Sequence, residues 1–145
     1  SGLQAHSQLL LFSSLMEIEL YIQSNNQNNS QTEHRLRRLQ RHQALFKHWA
    51  EINPQGFSAQ SALLDAELEQ LSRSPSKSHY ERALTASQEA NCTPLTALTL
   101  ERYSIYCNRR NQHTLARLLL NEARHHYQRW GALAKLSQLN TINPE

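Results

Sequence analysis

Leu63-Leu64-Asp65-Ala66-Glu67-Leu68 and Ala97-Leu98-Thr99-Leu100-Glu101-Arg102 are two versions of one pattern, with Leu64 matching Leu98 and Glu67 matching Glu101. Each stretch sets leucine and alanine at helical spacing. Each is followed by a partner segment, Tyr80-x-x-Ala83 after the first and Leu120-x-x-Ala123 after the second. Helix pairs recurring at roughly 34–40 residues are the mark of a helical solenoid. Small side chains at Ala66, Ala83, Ala116 and Ala123 let antiparallel helices approach closely. The expected fold is therefore all-α: antiparallel helix pairs stacked as a short, right-handed, tetratricopeptide-like solenoid of about six or seven helices. The spacing is looser than a regular tetratricopeptide array, and the full consensus is not present.

Working outward, apolar periodicity predicts helices along most of the chain. Leu11, Leu15, Ile18 and Ile22 form one stripe of a helix over residues 3–23. The polar run Ser24-Asn25-Asn26-Gln27-Asn28-Asn29-Ser30 has nothing to bury and reads as a loop. A second helix, over residues 32–53, carries Leu36, Leu39, Gln43, Phe46 and Ala50, with Thr32 as its N-cap. Pro54-Gln55-Gly56 reads as its end. Further helices are expected over residues 58–72, 76–90 and 94–110, separated by Ser74-Pro75-Ser76 and by Asn91-Cys92-Thr93-Pro94, with Thr93 as N-cap and Pro94 in the first turn. The last long helix starts near His113 and is expected to stop at Trp130-Gly131, the glycine taking a left-handed position. A short final helix with Leu133, Leu136 and Leu139 would then fold over Trp130. Tyr127, Trp130, Gly131, Ala132 and Lys135 would be the cap of the solenoid. In domain terms, residues 1–30 are an N-terminal helix and polar loop, 31–140 the helical-repeat domain, and 141–145 a tail or linker.

Composition agrees with this reading and narrows it. The chain has 145 residues, which suits one domain or a slice of a larger protein. Only 39% of it is hydrophobic, and the longest apolar run, Leu9-Leu10-Leu11-Phe12, is far short of the ~20 residues a membrane span needs. The 3 glycines and 4 prolines are too few for the many turns of an all-β fold. No secretory signal is visible, and 2 cysteines, Cys92 and Cys107, cannot build a disulfide framework. A reducing, cytoplasmic setting is the expectation. The net charge is only +3, and its basic residues gather at Arg35, Arg37, Arg38 and Arg41 beside His34 and His42. Arg37 and Arg41 share a helix face. A solvated face is the plainer reading. The alternative is a nucleic-acid-binding module, although no aromatic stacking residues or helix-turn-helix accompany the stripe.

Chemistry-bearing patterns are absent from the sequence. None of the 8 histidines stands in H-x-x-x-H or H-E-x-x-H spacing, and zinc needs three or four convergent ligands. Gly2, Gly56 and Gly131 cannot form a phosphate-binding loop. Neither cysteine has a base and an orienting group at recognisable spacing. No catalytic residue, metal or cofactor is expected, and the chain does not read as an enzyme. Glu67 and Glu101, set among leucine and alanine, are expected either to be paired inside the repeat, with Arg102, Arg117 or Arg124 as candidate partners, or to face a groove.

The segment Tyr127-Gln128-Arg129-Trp130-Gly131-Ala132-Leu133-Ala134-Lys135-Leu136, preceded by Ala116 and Glu122-Ala123, resembles a pattern that closes the helical region of large bacterial hybrid signalling proteins. Those proteins join a serine/threonine-kinase-like domain, a STAND/AAA-type ATPase, the helical region, a GAF sensor and a histidine kinase. Trp49-Ala50, Pro54 and Phe57 resemble the entry to that region, and Leu64, Ala66-Glu67, Tyr80, Ala83, Leu98 and Glu101 resemble its interior. The resemblance spans residues 36–139. It departs at Gly56, where asparagine is usual before Phe57, and over residues 108–111, which lack the usual glycine. It implies a non-catalytic interaction or regulatory domain that couples flanking domains of the same polypeptide or binds a protein partner, the chemistry lying in those flanking domains.

Overall fold

A computed structural model describes residues 2–24, 30–72 and 77–142. They form six helices: α1 (Gly2–Gln23), α2 (Ser30–Ile52), α3 (Pro54–Glu69), α4 (Ser78–Glu89), α5 (Thr93–Arg109) and α6 (His113–Ile142). Among the described residues there is no strand, and the fold class is all-α. No described helix is long and apolar enough to cross a membrane. The asparagine-rich stretch 25–29, the Ser74-Pro75-Ser76 break and the tail from Asn143 lie outside the described residues. The chain divides into two compact units, Ser1–Ala86 and Ser87–Glu145. The boundary between these units runs through α4.

In the first unit α1 packs on both α2 and α3. It buries the expected stripe of Leu11, Leu15 and Ile18, against a core that includes Leu39 and Phe46 of α2 and Phe57, Leu63 and Leu64 of α3. Trp49 links the three helices. Its ring lies 5.2 Å from Phe46 in an edge-on arrangement, 5.5 Å from Phe57 and 6.4 Å from His6. Such ring pairs add about 0.5–1.5 kcal/mol each beyond the area they bury.

Asn53 alone separates α2 from α3. Pro54 does not terminate α2 from outside; it opens α3, where its fixed φ suits the first turn and its missing N–H loses nothing. The Asn53 side chain accepts from the Gly56 N–H at 3.2 Å, capping the helix. Gly56 is therefore helical, not a turn glycine. A Cβ there would sit 2.6 Å from Asn53 Nδ2, so a larger residue would push the capping side chain aside. Thr32, expected as the N-cap of α2, lies inside that helix, which begins at Ser30.

In the second unit α5 and α6 form an antiparallel pair. Ala97, Leu100, Tyr103, Tyr106 and Cys107 of α5 are buried, as are Ala116, Leu119 and Ala123 of α6. Ser104 Oγ donates to the Ala116 carbonyl at 2.7 Å and fixes the register of the pair. Both helix reversals in this unit have the same form. Asn91 (φ 52°) and Asn111 (φ 61°) are left-handed. Cys92 N–H reaches back to the Ser87 carbonyl and Asn91 N–H to Gln88; Gln112 and Asn111 repeat this with Cys107 and Asn108. These are Schellman endings in which asparagine takes the position usual for glycine. α5 starts one residue earlier than expected: Cys92, without a side-chain cap bond, is its N-cap, and Thr93 is its first residue.

The expected C-terminal lid is not formed. α6 is one continuous helix of 30 residues through Trp130 and Gly131, and no glycine has positive φ. Trp130 is 45% exposed, and Gly131, Ala132, Lys135, Leu133 and Leu136 are exposed as well. Only Tyr127 of the proposed cap is partly covered. Gly in a helix interior costs only ~1 kcal/mol relative to alanine. The strong helix formers Ala132, Leu133, Lys135 and Leu136 carry the helix past it. Antiparallel to the 17-residue α5, α6 has roughly a dozen residues beyond its partner's reach.

Two substitutions test this account by thermal or urea unfolding. Asn111→Gly should be neutral within about 0.5 kcal/mol, whereas Asn111→Val should destabilise by about 1–2 kcal/mol, because a β-branched residue resists positive φ. Gly131→Ala should stabilise by about 0.5–1 kcal/mol, since a Cβ there meets nothing within 4 Å.

Candidate functional site

One face of α2, one of α3 and the first turns of α4 enclose an open groove of about 480 Å³. From α2 come Gln40, Gln43, Ala44 and Lys47, spaced i, i+3, i+4, i+7 and so on one face. From α3 come Ala62, Asp65 and Glu69, and from α4 come His79 and Arg82. Ala44 and Ala62 leave room in the floor that longer side chains would fill. The walls are amides and charges of both signs.

The two carboxylates of the groove are already engaged by its own side chains. Gln43 Nε2 donates to Asp65 Oδ1 at 2.8 Å. Arg82 Nη2 lies 3.0 Å from His79 Nδ1, and a guanidinium only donates, so Nδ1 accepts and the ring proton sits on Nε2. That Nε2 faces Glu69 Oε2 at 3.9 Å, and Ser72 Oγ donates to Glu69 Oε1 at 3.3 Å. Among the described residues neither Lys47 nor Arg82 has a carboxylate partner. The groove therefore offers two cations and two glutamines to an occupant.

Glu67 and Glu101 are not groove residues, and each accepts a hydrogen bond from a tyrosine. Fully buried Glu67 accepts from Tyr80 Oη at 2.7 Å and from Gln70 Nε2 at 2.5 Å. Glu101 accepts from Tyr127 Oη at 2.8 Å. Burial first, then this hydrogen bond and the nearby negative charge, push the Tyr127 phenol well above its ordinary range. The two pairs share chemistry but not register. Glu67 and Tyr80 sit next to the α3–α4 connection, Glu101 and Tyr127 far along α5 and α6. Leu64, Ala83 and Ala123 are buried, whereas Leu98 is only half-buried and Ala97 and Leu100 beside it are buried.

The basic stripe is divided between two tasks. Arg35 Nε and Arg38 Nη1 hold Glu17 of α1 at 3.3 and 3.0 Å. Arg37 lies 4.0 Å from Glu33 on its own helix, and Arg41 is exposed. A polyanion would thus meet Arg37 and Arg41 without disturbing the fold, but would have to compete with Glu17 for the other two. His42, on the same helix, makes a 2.9 Å contact through Nδ1 with Ser14 Oγ, which itself donates to the Leu10 carbonyl. Burial, and then Arg38 and Arg41, hold the His42 ring below its ordinary value of 6.5, with Glu17 opposing. Cys92 is half-buried at the head of α5 and Cys107 is buried within it. Among the described residues no three His, Cys, Asp or Glu side chains gather as a metal site.

The sequence reading did not assemble the groove. Gln43 was visible in the α2 stripe, but nothing distinguished Lys47, Asp65, Glu69, His79 or Arg82 from a solvated surface. The available signal was a polar stripe at i, i+3, i+7 beside the apolar one. Compared with known protein families, curated proteins and solved structures, the chain finds no match.

Tyr80→Phe should destabilise by about 1–3 kcal/mol, because it removes a donor from a carboxylate with no access to water. Tyr127→Phe should cost less than about 1 kcal/mol, its partner being partly solvated. The unfolded chain takes up the His42 proton at higher pH than the folded one. The stability that the neutral ring confers is whole above about pH 6.5 and is lost as pH falls through 6.5 toward the lower folded value. In urea titrations, the destabilisation caused by His42→Gln should shrink as the pH is lowered through that window.

Proposed function

We propose that the chain is a non-catalytic helical-repeat interaction or regulatory domain of a larger bacterial signal-transduction ATPase/kinase. Its helix pairs stack in the tetratricopeptide-like manner, and its groove binds an acidic, extended segment of a protein partner or of a flanking domain of the same polypeptide. The observation that carries this reading is the groove, with Lys47 and Arg82 lacking carboxylate partners while Asp65 and Glu69 are engaged. An incoming aspartate or glutamate side chain supplies the missing charge, and Gln40 and Gln43 offer amides to its backbone. The matching Schellman reversals at Asn91 and Asn111 support a recurring helix-turn-helix geometry. The signalling context rests on the sequence resemblance over residues 36–139. Nucleic-acid binding is the weaker alternative, since Arg35 and Arg38 are tied to Glu17.

The test is fluorescence anisotropy with labelled acidic, neutral and basic extended peptides and with a DNA duplex. Acidic peptides should bind best, and Lys47→Glu with Arg82→Glu should weaken them at least tenfold. Binding indifferent to those two substitutions, or preference for the duplex with loss on Arg37→Glu and Arg41→Glu, would overturn the reading.

A further inference from the structure

α1 is apolar on two opposite faces. The inner stripe of Leu11, Leu15 and Ile18 is buried. The outer stripe is Ala5, Leu9, Phe12, Met16 and Leu20, at i, i+4, i+7, i+11 and i+15, about 150° round the helix. Its large members are exposed, Leu9 by 71%, Phe12 by 53%, Met16 by 67% and Leu20 by 44%. A surface helix needs only one apolar face, so the second asks for a cover.

We infer that a second copy of this chain supplies the cover, through antiparallel pairing of the two α1 helices about a two-fold axis between Phe12 and Ser13. About that point the stripe positions exchange in pairs, apart from Phe12 at the centre, whose counterpart Ser13 lies outside the stripe. Leu9 of one copy falls opposite Met16 of the other, small Ala5 opposite Leu20, and Phe12 opposite Ser13. Large side chains thus face small or flexible ones, as an isologous helix pair requires. The stripe holds no charged residue, so the pairing brings no like charges together. Glu17 points instead to Arg35 and Arg38. The outer stripe presents roughly 400–500 Å² of apolar surface per copy, as large as the largest patch on a typical monomer. Pairing would bury about 1,000 Å² in total, enough for a weak, reversible dimer. The inference is independent of the groove, to which α1 contributes no residue.

Sedimentation equilibrium of the full chain over roughly 1–300 µM decides the matter. The wild type should dimerise within that range. Met16→Glu should weaken the dimer at least tenfold and leave the thermal midpoint of the monomer unchanged, because Met16 points outward. In a Cys92→Ser background, Ser13→Cys should cross-link two chains under mild oxidation, being next to the axis, while Gln23→Cys should not, its copies lying about 30 Å apart. A wild type that stays monomeric, a dimer that Met16→Glu leaves intact, or cross-linking through Gln23→Cys in preference to Ser13→Cys would each overturn the proposal.

Discussion

The left-handed backbone at Asn91 and Asn111, together with the side-chain cap of Asn53, sets where each of these helices stops and the next begins. A chain with 3 glycines has few residues that turn sharply at no steric cost. Asparagine is the next best, since its short polar side chain tolerates positive φ. The consequence reaches beyond the turns. Ending α5 at Asn111 brings Ser104 opposite the Ala116 carbonyl and Glu101 opposite Tyr127. Capping α3 at Asn53 brings Phe57 onto Trp49 and places Asp65 within reach of Gln43.

Several polar groups inside the first unit meet in pairs that also connect helices, while the buried Gln60 Oε1 has no hydrogen-bond partner among the described residues. Glu17 joins α1 to α2, Ser14 meets His42 across the same interface, and Glu67 takes the phenol of Tyr80 from α4. Each contact resolves a desolvation penalty that an isolated group would impose. The same arrangement accounts for the divided basic stripe. Arginines that look alike along the sequence differ in role because one pair faces α1 and the other faces solvent.

The apolar periodicity of α1, α2 and α3 was readable directly: Leu11, Leu15, Ile18, Leu39 and Phe46 are all buried as their spacing required. The breaks were harder. Pro54 and Gly56 marked a boundary correctly but on the wrong side of it, because proline and glycine signal a change of structure without saying which helix they belong to. Gly131 misled more seriously. A glycine after tryptophan near a chain end resembles a helix stop, yet the residues that follow favour helix strongly enough to absorb it. The groove was unreadable for a different reason. Its members are ordinary surface types, distinguished only by lying across from one another on α2, α3 and α4.

From its residues alone, this chain could only be helical: leucine and alanine recur at helical spacing, glycine and proline are scarce, and no apolar run is long enough for a membrane. Spacing is a property of one helix at a time, so sequence yields each apolar stripe. It does not say which partner a polar side chain meets. Packing decided that Glu67 and Glu101 bond to tyrosines, that Arg35 and Arg38 serve α1, that Trp130 stands in solvent, and that three polar faces converge on one groove. These facts depend on the distance between residues far apart along the chain, which only the folded arrangement supplies.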